Sequence, residues 1–169
     1  IEIFRREYAT VFNITHQNLL RPSHFEVSND SPFLVLPYCY KGNVSRYIGM
    51  MKEADIVKFL HDVSSGLSYL HEQEPPIIHQ DIKPDNVMIN SEGDFVIMDF
   101  GISVCVNSDI QLSNYCAFGS PAYMAPERFS DSKSIIYAND IWSLGVSIYE
   151  MAVGVLPFTG LGGEYSGVE

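Results

Sequence analysis

The sequence predicts an α+β fold in which two long helices supply most of the core and short strands lie between them. Three observations lead to this prediction. Apolar residues recur at helical spacing over 55–71, and a strongly apolar segment runs over 140–153. Short strand-like segments occupy 77–81, 87–90 and 95–99. With 169 residues, of which 46% are hydrophobic, the chain can bury one sizeable core.

The first residues predict a helix that is already under way where the sequence begins. Apolar side chains recur at helical spacing from Ile3 to Phe12, and no capping residue precedes them. Thr15 and the residues after it break this helix. The segments over 24–27 and 33–36 then predict a hairpin of two strands, because turn-forming Asn, Asp, Ser and Pro lie between them. A short helix is expected near 44–50.

The helix over 55–71 has a clear apolar face, and Asp55 is placed to act as its N-cap. The face that we expect in the core consists of Ile56, Leu60, Val63, Leu67 and Leu70. Pro75 and Pro76 should end the helix.

The segment over 140–153 predicts a helix that is apolar on most sides, which places it at the centre of the domain. Gly154 and Pro157 are its expected stop. The stretch over 101–125 has no sustained period and is rich in Ser, Asn and Gly, so we expect a mobile, functional loop there.

Composition excludes some classes of partner. The formal net charge of −11 argues against binding to nucleic acid or to an anionic membrane, because polyphosphates would be repelled. No apolar run approaches the roughly 20 residues that span a bilayer. Cys39, Cys105 and Cys116 are too widely spaced for a zinc or redox motif, so a reducing, cytoplasmic location is expected.

Four short motifs carry the chemistry: HQDIKPDN over 79–86, DFG over 99–101, APE over 125–127 and DIWSLG over 140–145. Two aspartates, a lysine and an asparagine in this order are the polar groups that phosphoryl transfer needs. On these motifs the chain resembles the eukaryotic-type protein kinases of the serine/threonine class. APE and DIWSLG speak against a small-molecule kinase, because in the family they build the protein-docking surface.

The resemblance implies an incomplete protein-kinase-like fold, with the end of the small lobe followed by a mainly helical large lobe. By this reading, residues 1–36 end the small lobe, 37–42 form the hinge, and 43–169 form a large lobe truncated after its central helix.

The resemblance also implies a role for each matched polar residue. Asp81 would orient the hydroxyl of a protein Ser or Thr, and Lys83 would neutralise the transferring phosphate. Asn86 and Asp99 would bind the Mg²⁺ that accompanies ATP. The hydroxyl of Ser120 would bridge Asp81 and Lys83 in a substrate-docking turn. The alternative is that the aspartates and Ser120 are ordinary turn residues.

For the nucleotide, the resemblance places Leu36 at the gatekeeper position and the backbone of Pro37 and Cys39 at the adenine edge. Met88 would pack beneath the adenine, with plain core packing as its alternative role. Asn43 would lie near the ribose and the incoming peptide. Many kinases carry Asp or Glu there, so a substrate preference for nearby arginine is not supported.

Other matched residues are structural by the same resemblance. Glu7 would form an ion pair in the regulatory helix, with a solvated surface glutamate as the alternative. Asp140 would hold the catalytic-loop backbone, and Glu127 would be buried without its usual arginine partner. Trp142 would pack under the activation segment. An apolar column would link the lobes through Val11, His79 and Phe100.

Two departures from the family bear on activity. Gln80 stands where an arginine usually pairs a phosphate on the activation loop, so we expect no dependence on activation-loop phosphorylation. Acceptors are nonetheless present at Ser108, Ser113 and Tyr115. The glycine-rich loop and the strand lysine of the family have no match, since the glycines of 160–167 follow a helix instead of opening a sheet.

Two functions therefore stay open. The chain is either the catalytic part of an ATP-dependent serine/threonine kinase, inactive on its own, or a kinase-like remnant that binds a protein partner.

Overall fold

In the computed structural model, the described residues are 12, 14–29, 31–100, 103–105, 119–130 and 136–158. Several predictions concern residues outside these ranges: the N-terminal helix with Glu7 and Val11, the acceptors Ser108, Ser113 and Tyr115, and the glycines of 160–167.

The predicted hairpin is confirmed. Strand β1 (His24–Ser28) pairs antiparallel with β2 (Ser31–Val35), with Phe25 opposite Leu34. The connection is tight, and Asn29 adopts a positive φ of 49°, which asparagine tolerates better than most residues. A 3₁₀ helix over Val44–Tyr47 follows and is shorter than the helix expected there.

Helix α1 (Glu53–His71) begins two residues before the predicted start, so the assignment of Asp55 as N-cap is wrong. Asp55 is the third residue of the helix, and its carboxylate accepts the Lys52 N–H at 3.2 Å. Asp55 therefore still accepts a hydrogen bond from a main-chain N–H at the start of the helix, although it is not the N-cap residue itself. The helix ends at His71, before the two prolines.

The buried face of α1 differs from the prediction at two positions, since Ile56 is only half-buried and Leu60 is exposed. Leu60 is 44% exposed, whereas Phe59 is completely buried and meets the ring of Phe95 edge-on at 5.4 Å. Phe59 and Val63, one turn later, point to the same side of the helix, and Leu60 is rotated away by about 100°. The aromatic partner on the neighbouring strand thus decides which residue points inward.

Glycine allows α1 to approach that strand closely. A Cβ built on Gly66 would lie 3.0 Å from Ile97 Cδ1, 3.1 Å from the Asn18 carbonyl oxygen and 3.2 Å from Leu19 Cδ2. These distances are tighter than ordinary carbon contacts, so a larger residue would require the helix or its neighbours to shift.

The three central strand segments are confirmed but are shorter than predicted. They are β3 (Ile77–Ile78), β4 (Val87–Ile89) and β5 (Phe95–Ile97). Strand β4 pairs antiparallel with β5, and β3 pairs antiparallel with β6 (Val104–Cys105). Because each strand is only two or three residues long, the polar motif residues lie in the loops that follow buried apolar positions.

Two further helices complete the described chain: α2 (Glu127–Ser130) and α3 (Tyr137–Val153). Helix α3 packs against α1 and buries Leu144, Val146 and Met151. As predicted, it ends at Gly154, whose left-handed backbone (φ 87°) lets its N–H reach the Glu150 carbonyl at 2.8 Å.

The prediction that this last helix is enclosed on most sides is wrong for the part of the chain that the structure describes. Ile141 and Tyr149 are 53% and 44% exposed. Trp142 is 37% exposed and stacks on Phe158, with 5.8 Å between the ring centres. No helix among the described residues is long and apolar enough to cross a membrane.

Candidate active site

The candidate catalytic residues come together because two short strands are joined by one tight loop. Strand β3 ends at Ile78, a 3₁₀ turn over Pro84–Asn86 follows, and β4 begins at Val87. Pro84 opens that turn, where its fixed φ suits a helical start. Ile82 is completely buried, which anchors the loop between Asp81 and Lys83.

Four polar contacts hold the carboxylate and the carbonyl group of Asp81. Lys83 Nζ lies 2.8 Å from Asp81 Oδ2, and Asn86 Nδ2 donates at 2.8 Å both to this oxygen and to the Asp81 carbonyl. The Ser120 N–H donates to Oδ1 at 2.9 Å. Burial alone would raise the pKa of Asp81, but the hydrogen bond and charge of Lys83, with help from Ser120, hold it below its ordinary value. The carboxylate is therefore ionised and fixed in direction.

The predicted bridge by the Ser120 hydroxyl is wrong in one respect. The hydroxyl accepts from Lys83 Nζ at 2.5 Å, but the contact with Asp81 is made by the Ser120 main-chain N–H. The preceding Gly119 makes this approach possible, since a Cβ there would lie 3.1 Å from the Gln80 carbonyl oxygen. Its φ of 125° also belongs to a region that favours glycine.

Asn86 and Asp99 are presented in a way that suits a hard cation. Asn86 is 6% exposed, and its Nδ2 is already used by Asp81, which leaves Oδ1 as the group that could bind a metal. Asp99 is exposed and adopts a left-handed conformation with φ 67°. The Met98 N–H donates to the Asn86 carbonyl at 2.9 Å, so the two segments are joined directly.

The described residues contain no group of three or more His, Cys, Asp and Glu side chains that could hold a metal. Two oxygen donors next to a substrate site nevertheless fit Mg²⁺, which keeps several waters and takes phosphate oxygens as further ligands.

Asp140 connects the first turn of α3 to the loop that contains Asp81. Its fully buried carboxylate accepts the N–H groups of His79 at 2.9 Å and of Gln80 at 2.8 Å. Gln80 has a positive φ of 70°, which costs on the order of 1 kcal/mol for a residue with a side chain. The two hydrogen bonds hold this unfavourable conformation immediately before Asp81.

The third partner of Asp140 is His71, a residue that the motifs did not single out. His71 Nε2 lies 2.8 Å from Asp140 Oδ2, and the imidazole also packs against the ring of Tyr137 at 4.9 Å. A buried carboxylate needs several donors. The only signal in the sequence was the position of His71 in the last turn of the predicted helix.

His79 is completely buried and is hydrogen-bonded through both ring nitrogens. Its Nδ1 accepts the Asp81 N–H at 3.3 Å, so Nε2 carries the proton that reaches the Met98 carbonyl at 3.1 Å. The Phe100 ring meets the imidazole edge-on at 5.2 Å. His79 thus ties the segment before Asp81 to the segment before Asp99.

The candidate nucleotide residues form a small apolar cluster beside the hinge. Leu36, Cys39 and Met88 belong to it, and its remaining members are Leu20, Val96 and Met98. Burial raises the pKa of the free Cys39 thiol, so this thiol behaves as an apolar group. The Cys39 carbonyl accepts the Gly42 N–H at 3.0 Å and keeps one lone pair for another donor. Pro37 is exposed.

Tyr123 anchors the turn that contains Ser120 to α3 and was missed by the sequence analysis. Its hydroxyl donates to Glu150 Oε2 at 2.5 Å, and Ser143 Oγ donates to its carbonyl at 2.7 Å. Burial, followed by the Glu150 carboxylate, raises the pKa of the phenol well above its ordinary value. Glu127 begins α2 and is only half-buried, so full burial of this carboxylate was a wrong expectation.

Comparisons with known proteins agree on one family. The family model described as "Protein kinase domain" matches residues 2–166. Mitogen-activated protein kinase kinase 7 of Arabidopsis thaliana is 39% identical over 127 residues, which cover 73% of this chain and 40% of that protein. Mitogen-activated protein kinase kinase 9 of the same plant is 36% identical over 93% of this chain and 49% of its own length.

Serine/threonine-protein kinase Nek1 of Mus musculus is 31% identical over 87% of the chain and 12% of its own length. The chain therefore spans less than half the length of these relatives.

Proposed function

Because the chain belongs to the protein kinase family, we propose that it supplies the catalytic loop and metal ligands of an ATP-dependent protein serine/threonine kinase. The observation that carries this proposal is the fixed triad of Asp81, Lys83 and Ser120. The Lys83 ammonium group lies 2.8 Å from the ionised Asp81 carboxylate and 2.5 Å from the Ser120 hydroxyl, and the Ser120 N–H donates to the same carboxylate at 2.9 Å.

The geometry supports a division of roles. Asp81 Oδ1 and Oδ2 are held by other donors, so a substrate hydroxyl that enters here would be oriented by a carboxylate that cannot turn away. Lys83 lies between this carboxylate and Ser120, where its charge would neutralise a phosphate passing to the hydroxyl. Withdrawing Lys83 from Asp81 toward the phosphate would leave the carboxylate free to accept the proton.

The family uses ATP with a divalent metal, and we propose ATP and Mg²⁺ for this protein. Asn86 Oδ1 and Asp99 would hold the ion, which would screen the charge of the phosphate oxygens when bound. Leu36, Cys39 and Met88 would face the adenine, since their cluster is apolar and lies next to the hinge. Asn43, whose backbone pairs with that of Met88, would lie beside the ribose.

Two observations support a protein hydroxyl as the acceptor. The family acts on proteins, and the Ser120 turn is braced against α3 by Tyr123 and Ser143, as a surface that docks a polypeptide requires. The name of the mouse relative includes serine/threonine.

From the family resemblance, we assign 1–36 to the small lobe, 37–42 to the hinge and 43–169 to the large lobe.

The test is transfer of labelled phosphate from MgATP to peptides that contain Ser, Thr or Tyr. We expect labelling of Ser and Thr peptides, and a loss of at least about 100-fold with Asp81→Asn, which removes the charge that orients the hydroxyl. Glu92→Gln, an exposed charge change in the turn between β4 and β5, is the matched control and should retain activity.

Calorimetric titration with MgATP accompanies the activity test. A protein that neither binds MgATP nor labels any peptide would overturn the proposal in favour of a kinase-like interaction module. Labelling that survives Asp81→Asn would remove the assigned role of Asp81.

A further inference from the structure

His71 is the last residue of α1, and its side chain reaches the first turn of α3. Its Nε2 lies 2.8 Å from Asp140 Oδ2, where the His71 side chain is 13% exposed and the Asp140 side chain is fully buried. Both Asp140 oxygens also accept main-chain N–H groups, so we assign Nε2 as the donor in this contact. The imidazole packs against the Tyr137 ring with 4.9 Å between the ring centres, which limits its rotation.

His71 differs from the other donors to Asp140 because it does not belong to the loop before Asp81. The other two hydrogen bonds to this carboxylate come from the N–H groups of His79 and Gln80, at 2.9 and 2.8 Å. These two donors move with the loop, whereas His71 is carried by a long helix. Among the described residues, His71 is also the only basic side chain within 4.0 Å of the Asp140 carboxylate. The direction of this carboxylate relative to the helices therefore depends on His71.

The direction of the Asp140 carboxylate matters because of the backbone at Gln80. The φ of Gln80 is 70°, which is unfavourable for a residue with a side chain, and Asp81 follows it directly. The hydrogen bond from the Gln80 N–H to Asp140 Oδ1 holds this conformation. If the carboxylate turned, the N–H would lose its acceptor, and the backbone would relax and displace Asp81. A displacement of about 1 Å near a reacting group can cost on the order of a hundredfold in rate.

We propose that His71 is a positioning residue for phosphate transfer. Its Nε2–H fixes the Asp140 carboxylate, and this carboxylate in turn fixes the loop that presents Asp81. This role rests on the proposed kinase function and adds to it a residue that acts through another side chain. A purely structural role would instead make the effect of each substitution follow the loss of stability that it causes.

Three substitutions separate the hydrogen bond from the other properties of histidine. His71→Gln places an amide nitrogen as many bonds from Cβ as Nε2 is, so it keeps a donor for Asp140. His71→Asn ends one bond earlier and cannot reach Oδ2. His71→Phe keeps a ring against Tyr137 and has no donor. None of the three variants can carry a positive charge, so any effect of charge at the end of α1 is the same in each.

The assay is transfer of labelled phosphate from MgATP to a serine peptide, with the intact protein and below the unfolding midpoint of every variant. His71→Phe and His71→Asn should lower kcat about 10-fold to 100-fold and leave KM within about twofold of the parent, because no binding group is changed. His71→Gln should retain a kcat within about threefold of the parent. Equal losses in the Gln and Asn variants, or no loss in the Phe variant, overturn the role of His71.

Phe59→Leu is the control for stability, because it weakens the packing of the same helix against Phe95, away from Asp140. Its kcat should equal that of the parent. A loss of kcat in Phe59→Leu as large as in His71→Phe would show that activity follows the stability of α1, and would also overturn the role.

Hydrogen exchange tests the role without turnover. In His71→Phe and His71→Asn, the amide hydrogens of His79 and Gln80 should exchange at least about tenfold faster than in the parent and in His71→Gln. The amide of Val63, within α1, should exchange as in the parent. Unchanged exchange at Gln80, or an equal increase at Val63, refutes the role of His71. Absence of phosphate transfer by the parent protein refutes the proposed function instead.

Discussion

Replacing Gly66 by alanine should destabilise the protein, although alanine is the better helix former. In α1 the new methyl group would lie 3.0 Å from Ile97 Cδ1 and 3.1 Å from the Asn18 carbonyl oxygen. The isoleucine methyl can rotate away, but the carbonyl belongs to the main chain and cannot. Forcing one extra methyl group into such a contact costs about 1–3 kcal/mol.

Gly145→Ala is the matched control, because Gly145 also lies inside a long helix. A Cβ there would meet no atom of the described residues within 4 Å. Both substitutions gain the same helix propensity, about 1 kcal/mol. Gly145→Ala should therefore stabilise the protein slightly, and the difference between the two variants isolates the steric cost at Gly66.

The assay is urea unfolding followed by circular dichroism at 222 nm, because Trp142 lies beside Gly145 and its fluorescence would respond to the control itself. With a slope of about 2 kcal/mol per M, the two midpoints should differ by roughly 0.5–1.5 M. Equal midpoints would refute the reasoning, since they would mean that α1 can move away from Asn18 without loss.

Three further outcomes test other contacts. Asp62→Asn should cost about 1–3 kcal/mol near pH 7, because it breaks the buried hydrogen bonds to Lys58 and to the Phe95 N–H. Burial would raise the pKa of Asp62, but Lys58 and the Phe95 N–H hold it below its ordinary value. The Asp62 carboxylate therefore stabilises the fold above about pH 4, and this stabilisation is lost as the carboxylate is protonated. The urea midpoint of the variant should accordingly vary less over acidic pH than that of the parent. Asp140→Asn should lower stability by about 2–4 kcal/mol in the same assay, since an amide cannot accept three hydrogen bonds, and an unchanged midpoint would count against the role of Asp140. In a spectrophotometric titration, Tyr123→Phe should remove a phenol that ionises well above the ordinary range, because burial and Glu150 raise its pKa; loss of an ordinary phenol instead would contradict this.

The sequence predicted the elements well where the signal was local. The hairpin, both long helices and the glycine stop at Gly154 depend on periodicity and turn chemistry, which neighbouring residues determine. The choice between Phe59 and Leu60 was not local. Both are apolar and adjacent, and only the position of Phe95 on a strand distant in sequence decides which one points inward.

The candidate site was predictable in its residues and less so in its contacts. Close spacing placed Asp81, Lys83 and Asn86 in one loop, and the structure brings them within hydrogen-bonding distance. Every residue other than proline has the same main-chain N–H, so residue types could not predict the hydrogen bond from the Ser120 N–H to Asp81. The contact of His71 with Asp140 joins residues 69 positions apart, which no spacing rule connects.

The hydrogen bonds by which Asp140 holds the loop before Asp81 bear on which substitutions this loop can accept. Asp140 binds main-chain N–H groups at His79 and Gln80, and every residue except proline supplies the same N–H at position 80. The loop can therefore keep its shape while the side chain at that position is replaced. The hypothesis that Gln80 removes control by an activation-loop phosphate therefore requires no change in the main-chain contacts beside Asp81.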